Sequence, residues 1–189
     1  ATDQATIKAR QGVAFPMMED VTVIDEAARQ IPMDARTTGE VVMRGNSVMK
    51  GYYKKPEANA KTLAGGWLHS GDVAIKDEDG FYFIVDRTKD MIIRGGLNVY
   101  PRELEEVMIK HEAVSLVAVI GVPDEKMGEE IKAYVVKAEG ANVTEEEIIA
   151  YTKSKLAAYK YPRIVEFIDG LPMSATGKIL KKELRKMIQ

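Results

Sequence analysis

The sequence contains no cysteine, two histidines, one tryptophan and four phenylalanines. Without cysteine there can be no disulfide, no thiolate zinc centre and no cysteine nucleophile. His69 and His111 lie far apart along the chain, so neither a histidine-rich metal site nor a serine–histidine triad is expected. No stretch approaches the roughly 18 apolar residues of a transmembrane helix; the longest apolar run, residues 113–123, is strand-sized. Charge of one sign is also lacking: 27 basic and 29 acidic side chains leave a formal net charge of −2. That balance carries no polyanion-binding footprint, and no nucleic-acid partner is expected. The opening residues, ATDQATIKAR, lack the apolar core of a secretory signal. What remains is an ordinary globular composition, 46% apolar and 30% charged. A chain of 189 residues has room for one or two domains with a real core.

The pattern along the chain changes character part-way. Val21, Val23 and Ile24 suggest a short strand, with Pro16 and Pro32 as punctuation. GEVVMRGNSVMKGYY (39–53) is β-rich, and KKPEANAKTL (54–63) predicts a short helix with Pro56 in its first turn. Residues 73–86 read as a hairpin around an Asp-Glu-Asp-Gly turn, and residues 91–99 as a second hairpin around Gly95 and Gly96. Helices and strands then alternate. Pro101 opens a helix with Leu104, Val107, Met108 and His111 on one face. Residues 114–122, 131–136 and 164–168 are strands. Thr144 followed by Glu147 is a capping box for a helix reaching about Leu156. Lys178 begins a last amphipathic helix with Leu180, Leu184, Met187 and Ile188 on one side. The order predicts an α+β fold: a β-rich block over 1–86, then a small domain over 87–189 with a three-stranded sheet, a hairpin and helices.

Taken singly, the motifs are weak. Gly95 and Gly96 read as a turn, HSGD (69–72) as a turn, and DRTKD (86–90) as a solvated charged linker. A P-loop needs four residues between its first glycine and Gly-Lys-Ser/Thr. Six separate Gly170 from Gly177, and Ile179 follows Lys178, so that motif is absent. A lysine at a helix start is electrostatically unfavourable, because the helix N-terminus is already partly positive. Lys178 there hints at a phosphate or carboxylate partner. The ten methionines read as core filler, and Asp124, Gly128 and Glu129 as residues shaping a turn between strands.

Order and spacing add what the single motifs lack. GEVVMRGNSVMKGYY, WLHSGD, FIVDRTKDMIIRGGLNVYPRELEE, GVPDEKMGEEIKAYVV and LPMSATGKILKKEL together resemble the C-terminal part of the adenylate-forming enzymes. That superfamily comprises acyl-CoA synthetases, peptide-synthetase adenylation domains and luciferases. The wording RGGLNVYPRELEE is most similar to fatty acyl-CoA synthetases and aryl-CoA ligases, and KARQG (8–12) resembles a stretch of the fatty acyl-CoA branch. The resemblance implies an AMP-forming acid–thiol ligase that uses ATP, Mg2+ and CoA on a carboxylic acid, a fatty acid by that branch. It implies Lys178 as the adenylation lysine, Asp72 on the ribose hydroxyls, and Arg87 near ribose and phosphate. Lys89 falls at the hinge of a rotating lid, and Gly95 and Gly96 line the pantetheine path of CoA. No metal ligand is expected among these residues; Mg2+ would be held mainly by an N-terminal part whose phosphate loop and adenine segment do not occur here.

The chain is thus expected to be a piece of a ligase, inactive alone, pairing the end of the large domain (1–86) with the complete lid (87–189). The resemblance further implies a cytoplasmic location, with peripheral membrane association as a variant, and a lysine acetyltransferase and deacetylase acting on Lys178. An aryl-CoA ligase, another adenylation enzyme, or a non-catalytic binding module with the lid fold stand as alternatives.

Overall fold

The computed structural model describes residues 18–188; the KARQG stretch and Pro16 lie outside them. Two compact units follow one another, the first ending at Lys89 and the second beginning at Asp90. Arg87, assigned from the sequence to the second domain, is the last residue of a strand of the first unit. Its backbone is tied into that ladder opposite Asp72.

The first unit is an antiparallel meander of β1 (Asp20–Ile24), β2 (Gly39–Arg44), β3 (Leu68–Lys76) and β4 (Tyr82–Arg87), in that spatial order. Helix α1 (Pro56–Thr62) lies in the β2–β3 connection and starts on a proline, whose missing N–H would have had no partner in the first turn. Val23, Val41, Ala74 and Tyr82, one from each strand, pack with Ile31 into one core, and Val21, Met43 and Ile84, two residues along their strands, pack against it, as a period of two demands. The β3–β4 turn closes on Gly80, at φ 86°, and on the Asp77 side chain, which accepts the Phe81 N–H at 2.8 Å.

The second unit is built on β8 (Gly128–Lys137). One edge of β8 pairs along its whole length with antiparallel β7 (Val114–Asp124). The other edge carries parallel β9 (Ile164–Phe167) at Lys132 to Val135. That same edge also takes the hairpin of β5 (Ile92–Arg94) and β6 (Leu97–Val99), through the single pairing Arg94↔Gly128. The hairpin expected as a separate feature therefore extends the three strands to a five-stranded sheet.

Helices α2 (Pro101–Met108) and α3 (Glu145–Lys155) cover one face, where Leu104, Met108 and Ile148 meet Val117, Val119, Ile131 and Ala133. Leu184 of α4 (Lys181–Lys186) covers the other face against Ala118, Ile120, Val122 and Tyr134. Burial on both faces explains why residues 114–122 are apolar without alternation. The expected capping box is present: Thr144 Oγ1 accepts the Glu147 N–H at 3.2 Å, and Glu147 accepts the Thr144 N–H at 2.8 Å.

Two helix expectations need correction. His111 lies beyond α2; its Nδ1 accepts the Ala113 N–H at 3.2 Å and its ring meets Tyr151 edge-on. Lys178 does not begin a helix, because α4 starts at Lys181. The argument from an unfavourable cation at a helix N-terminus therefore lapses, and Lys178 must be read from the turn that holds it.

Candidate functional site

The HSGD segment lies inside β3 and is not a turn. Val42 pairs with His69 and Glu40 with Val73, so Ser70, Gly71 and Asp72 all face the single residue Val41. This three-residue bulge re-aims the strand, and its parts are fastened individually. Ser70 Oγ donates to the Val41 carbonyl at 2.7 Å and accepts the Asp72 N–H at 3.0 Å. Gly71 takes φ 72°, a left-handed value that glycine reaches without strain. The Glu40 carboxylate accepts the Gly71 N–H at 2.9 Å and lies 2.7 Å from His69 Nδ1. Glu40 and Ser70 escaped the sequence reading; the only signal was an acid inside a β-rich run, facing a histidine 29 residues on.

The bulge sets Asp72 opposite Arg87 on β4, with Arg87 Nε 2.9 Å from Asp72 Oδ1. That Nε–H is not aimed along the contact and makes no aligned hydrogen bond, so the attraction is one of charge. The side chains are 40% (Arg87) and 35% (Asp72) exposed; such a pair contributes little to stability and can trade its partner for a ligand at small cost. Beside it opens a cleft of about 740 Å³ lined by Glu40, Tyr52, Lys61, Ser70, Arg87 and Lys89. Asp72 does not line the cleft and meets it through Arg87. Lys89 is exposed on a short 3-10 turn, Thr88–Asp90. The neighbouring Asp86 is buried and accepts the Arg87 N–H at 2.7 Å, so DRTKD is not the wholly solvated linker its charge suggested.

The remaining candidates belong to the second unit, on two different elements. Gly95 and Gly96 form the tip of the β5–β6 hairpin at φ 57° and 77°. Any side chain at Gly95 would also run into the Met127 methyl, 2.7 Å from where a Cβ would stand, whereas Gly96 faces open space. Lys178 closes a tight turn over residues 174–178. Ser174 and Lys178 are joined N–H to carbonyl at 2.8 Å, the Lys178 N–H reaches Ser174 Oγ at 3.1 Å, and Gly177 turns at φ 77°. The backbone is fixed while the Lys178 side chain is exposed, with no ion-pair partner among the described residues. Arg185 on α4, just after this turn, donates to Asp90 at 3.1 Å, which ties the helix to the first residue of the unit.

Two nearby carboxylates are strongly engaged. Burial alone would raise the Glu130 carboxyl. The bidentate Arg94 guanidinium (2.6 and 2.9 Å) and the Ile131 N–H outweigh that and hold it below the ordinary range. Asp124 is held low by the N–H groups of Met127 and Lys126. Among the described residues no three of histidine, aspartate and glutamate gather as a metal site. No helix among them is long and apolar enough to cross a membrane.

Residues 103–178 match the family of the AMP-binding enzyme C-terminal domain. The chain is 47% identical over 167 residues to a feruloyl-CoA synthase of Amycolatopsis sp, covering 88% of this chain and 34% of that protein. It is 50% identical over 146 residues to a long-chain-fatty-acid–CoA ligase of Bacillus subtilis (strain 168), covering 77% of this chain and 26% of that one. Among solved structures, ATP-bound MatB from Rhodopseudomonas palustris superposes with a TM-score of 0.86 at 34% identity, over 95% of this chain and 35% of that chain. The chain thus spans about a quarter to a third of the length of these relatives.

Proposed function

The chain belongs to the adenylate-forming enzymes and carries their C-terminal domain, and from that membership we propose that it serves as the lid-bearing part of an ATP-dependent acyl-CoA ligase. In the first half-reaction a carboxylate oxygen attacks the α-phosphorus of ATP; the bond to pyrophosphate breaks and acyl-AMP forms. In the second, the CoA thiolate attacks the acyl carbonyl and AMP leaves.

Lys178 carries this reading. An exposed ammonium without an ion-pair partner among the described residues, on a turn whose backbone is fixed, is suited to meet charge that develops on phosphate and carboxylate oxygens. Asp72 would accept the two ribose hydroxyls, since a carboxylate can take several donors. Arg87, close beside it, would meet a phosphate oxygen with its guanidinium fork. Lys89, exposed at the junction of the two units, would absorb the dihedral change of a lid rotation between the half-reactions. That rotation would bring Gly95 and Gly96 to the pantetheine arm, and open space at Gly96 suits close approach of backbone to a slim ligand.

We take the acid to be a fatty acid, on the similarity to the long-chain-fatty-acid ligase; the feruloyl-CoA synthase relative favours an aromatic acid as the second reading. The cytoplasm, where ATP and CoA are available, is the proposed location. The exposed Lys178 amine is open to acetylation, which would remove its charge.

Pyrophosphate release from ATP, followed over a panel of fatty and aromatic acids, tests the assignment. The 189-residue chain alone is expected to give none above background, because it supplies Lys178, Asp72 and Arg87 without the remaining two thirds of its relatives. The ligase that contains it is expected to turn over with a fatty acid. Turnover by the isolated chain would overturn the division of labour, and a preference for aromatic acids would replace the substrate class.

A further inference from the structure

The segment GVPDEKMGEE, unused by the mechanism above, is wrapped around the hairpin that carries Gly95 and Gly96. The hairpin has a single ladder pairing with the sheet, Arg94↔Gly128, too little to hold a two-stranded ribbon in place by itself. Ile92 and Val99 anchor its base in the core, and four further contacts, all from residues 127–130, hold the end that carries the turn. The Met127 carbonyl accepts the Gly95 N–H at 2.8 Å. Glu129 Oε2 accepts the Ile93 N–H at 2.7 Å. Glu130 takes Arg94 on both oxygens, at 2.6 and 2.9 Å, where the two side chains are only 11% (Arg94) and 13% (Glu130) exposed. The Met127 methyl fills the space a side chain at Gly95 would need. The segment is itself braced: Asp124 Oδ1 accepts the N–H groups of Lys126 and Met127 at 2.9 and 2.8 Å. The Glu129 carboxylate that takes the Ile93 N–H also lies against Gly121 of β7, where a Cβ would collide with it.

We infer that Glu129 and Glu130 are positioning residues that hold the Gly95 and Gly96 turn in one geometry, so that the second half-reaction depends on them and the first does not. The inference rests on the proposed reading of that turn as the surface facing CoA. Neither carboxylate touches substrate in this scheme. Each fixes a backbone or side-chain group of the hairpin, and a catalytic step is sensitive to displacements of about 1 Å in the groups that position its reactants.

Amide exchange in the 189-residue chain tests the brace without any ligand. In Glu129→Ala the Ile93 amide is expected to exchange about tenfold faster or more, with the β1–β4 sheet unchanged. Glu129→Gln keeps an acceptor oxygen and should stay within about threefold of the parent. Gly121→Ala, which leaves Glu129 in place but puts a methyl where its carboxylate passes, should reproduce the alanine effect and serves where Glu129→Ala does not fold. Unchanged Ile93 exchange in the folded variants overturns the inference.

In the ligase, Glu129→Ala should slow thioester formation from supplied acyl-adenylate about tenfold, with acyl-adenylate formation within about twofold of the parent. Equal losses in both half-reactions also overturn the inference. Faster Ile93 exchange with thioester formation intact leaves the brace standing and removes the reading of Gly95 and Gly96 as the CoA-facing turn.

Discussion

Lys178→Gln in the proposed ligase is expected to slow acyl-adenylate formation about 100- to 1,000-fold, the usual effect of removing one preorganised donor from a developing oxyanion. Thioester formation from supplied acyl-adenylate should stay within about threefold of the parent, because in the proposed cycle the rotated lid no longer presents this side chain. The substitution removes a charge and little else. The turn is held by backbone groups of residues 174–178 and by Ser174 Oγ, none of which involves the Lys178 side chain. The ammonium makes no ion pair among the described residues and is exposed, so the variant should fold as the parent does. Glutamine also matches acetyl-lysine in charge, so the same experiment gauges what acetylation would do. Rapid-quench measurement of each half-reaction separates the outcomes. Comparable losses in both steps would mean that Lys178 is not the adenylation lysine of an alternating lid.

Expectation and structure part company where an interaction depends on residues far apart in sequence. Strands β7 and β8 were legible because both faces are buried, which leaves an apolar run no surface strand would show. Thr144 and Glu147 were legible because a capping box is local, as was the Asp77 to Gly80 turn. The start of α4 was misread: Leu180, Leu184, Met187 and Ile188 keep helical spacing, but residues 174–178 spend their backbone groups on a turn before the helix can begin. The bulge at Ser70 to Asp72 was hidden because a strand's own sequence does not report its register; that is set by Glu40 and Val41 about 30 residues earlier. The site itself divides in the same way. Asp72, Arg87, Lys89, Gly95, Gly96 and Lys178 stand out through motif order; Glu129 reads from the sequence only as part of a turn between strands, and the contacts of Glu40, Glu129 and Glu130 reach backbone or side chains up to 36 residues away, which no local pattern reports.

The same long reach makes the Arg94–Glu130 pair the place where one substitution should cost the second unit most. Glu130→Ala is expected to destabilise that unit by about 3 kcal/mol, because a nearly buried guanidinium is left without its carboxylate. The loss is compounded by a second cation. Arg163 acts electrostatically on both Arg94 and Glu130, and its own fork is committed to the carbonyls of Tyr161 and Ala158 at 3.0 and 2.9 Å. With Glu130 gone, two guanidinium groups repel without a shared anion.

The pair Arg94→Met with Glu130→Leu should recover most of the loss, since apolar side chains in such a site commonly match or exceed the ion pair they replace. Glu130 is held below its ordinary value of 4.5, so its contribution is present in full above that pH and disappears as pH falls through the lowered value. The difference between parent and Glu130→Ala should therefore be complete at neutral pH and shrink in acid.

Denaturant unfolding of the whole chain checks this, with the two units followed separately, since one stability figure does not describe a two-unit protein. The single tryptophan, Trp67, lies in the first unit and reports on that unit; backbone amide signals of β7 and β8 report on the second. A shifted Trp67 transition, or a double variant no more stable than Glu130→Ala, would show that the pair is not what anchors the hairpin.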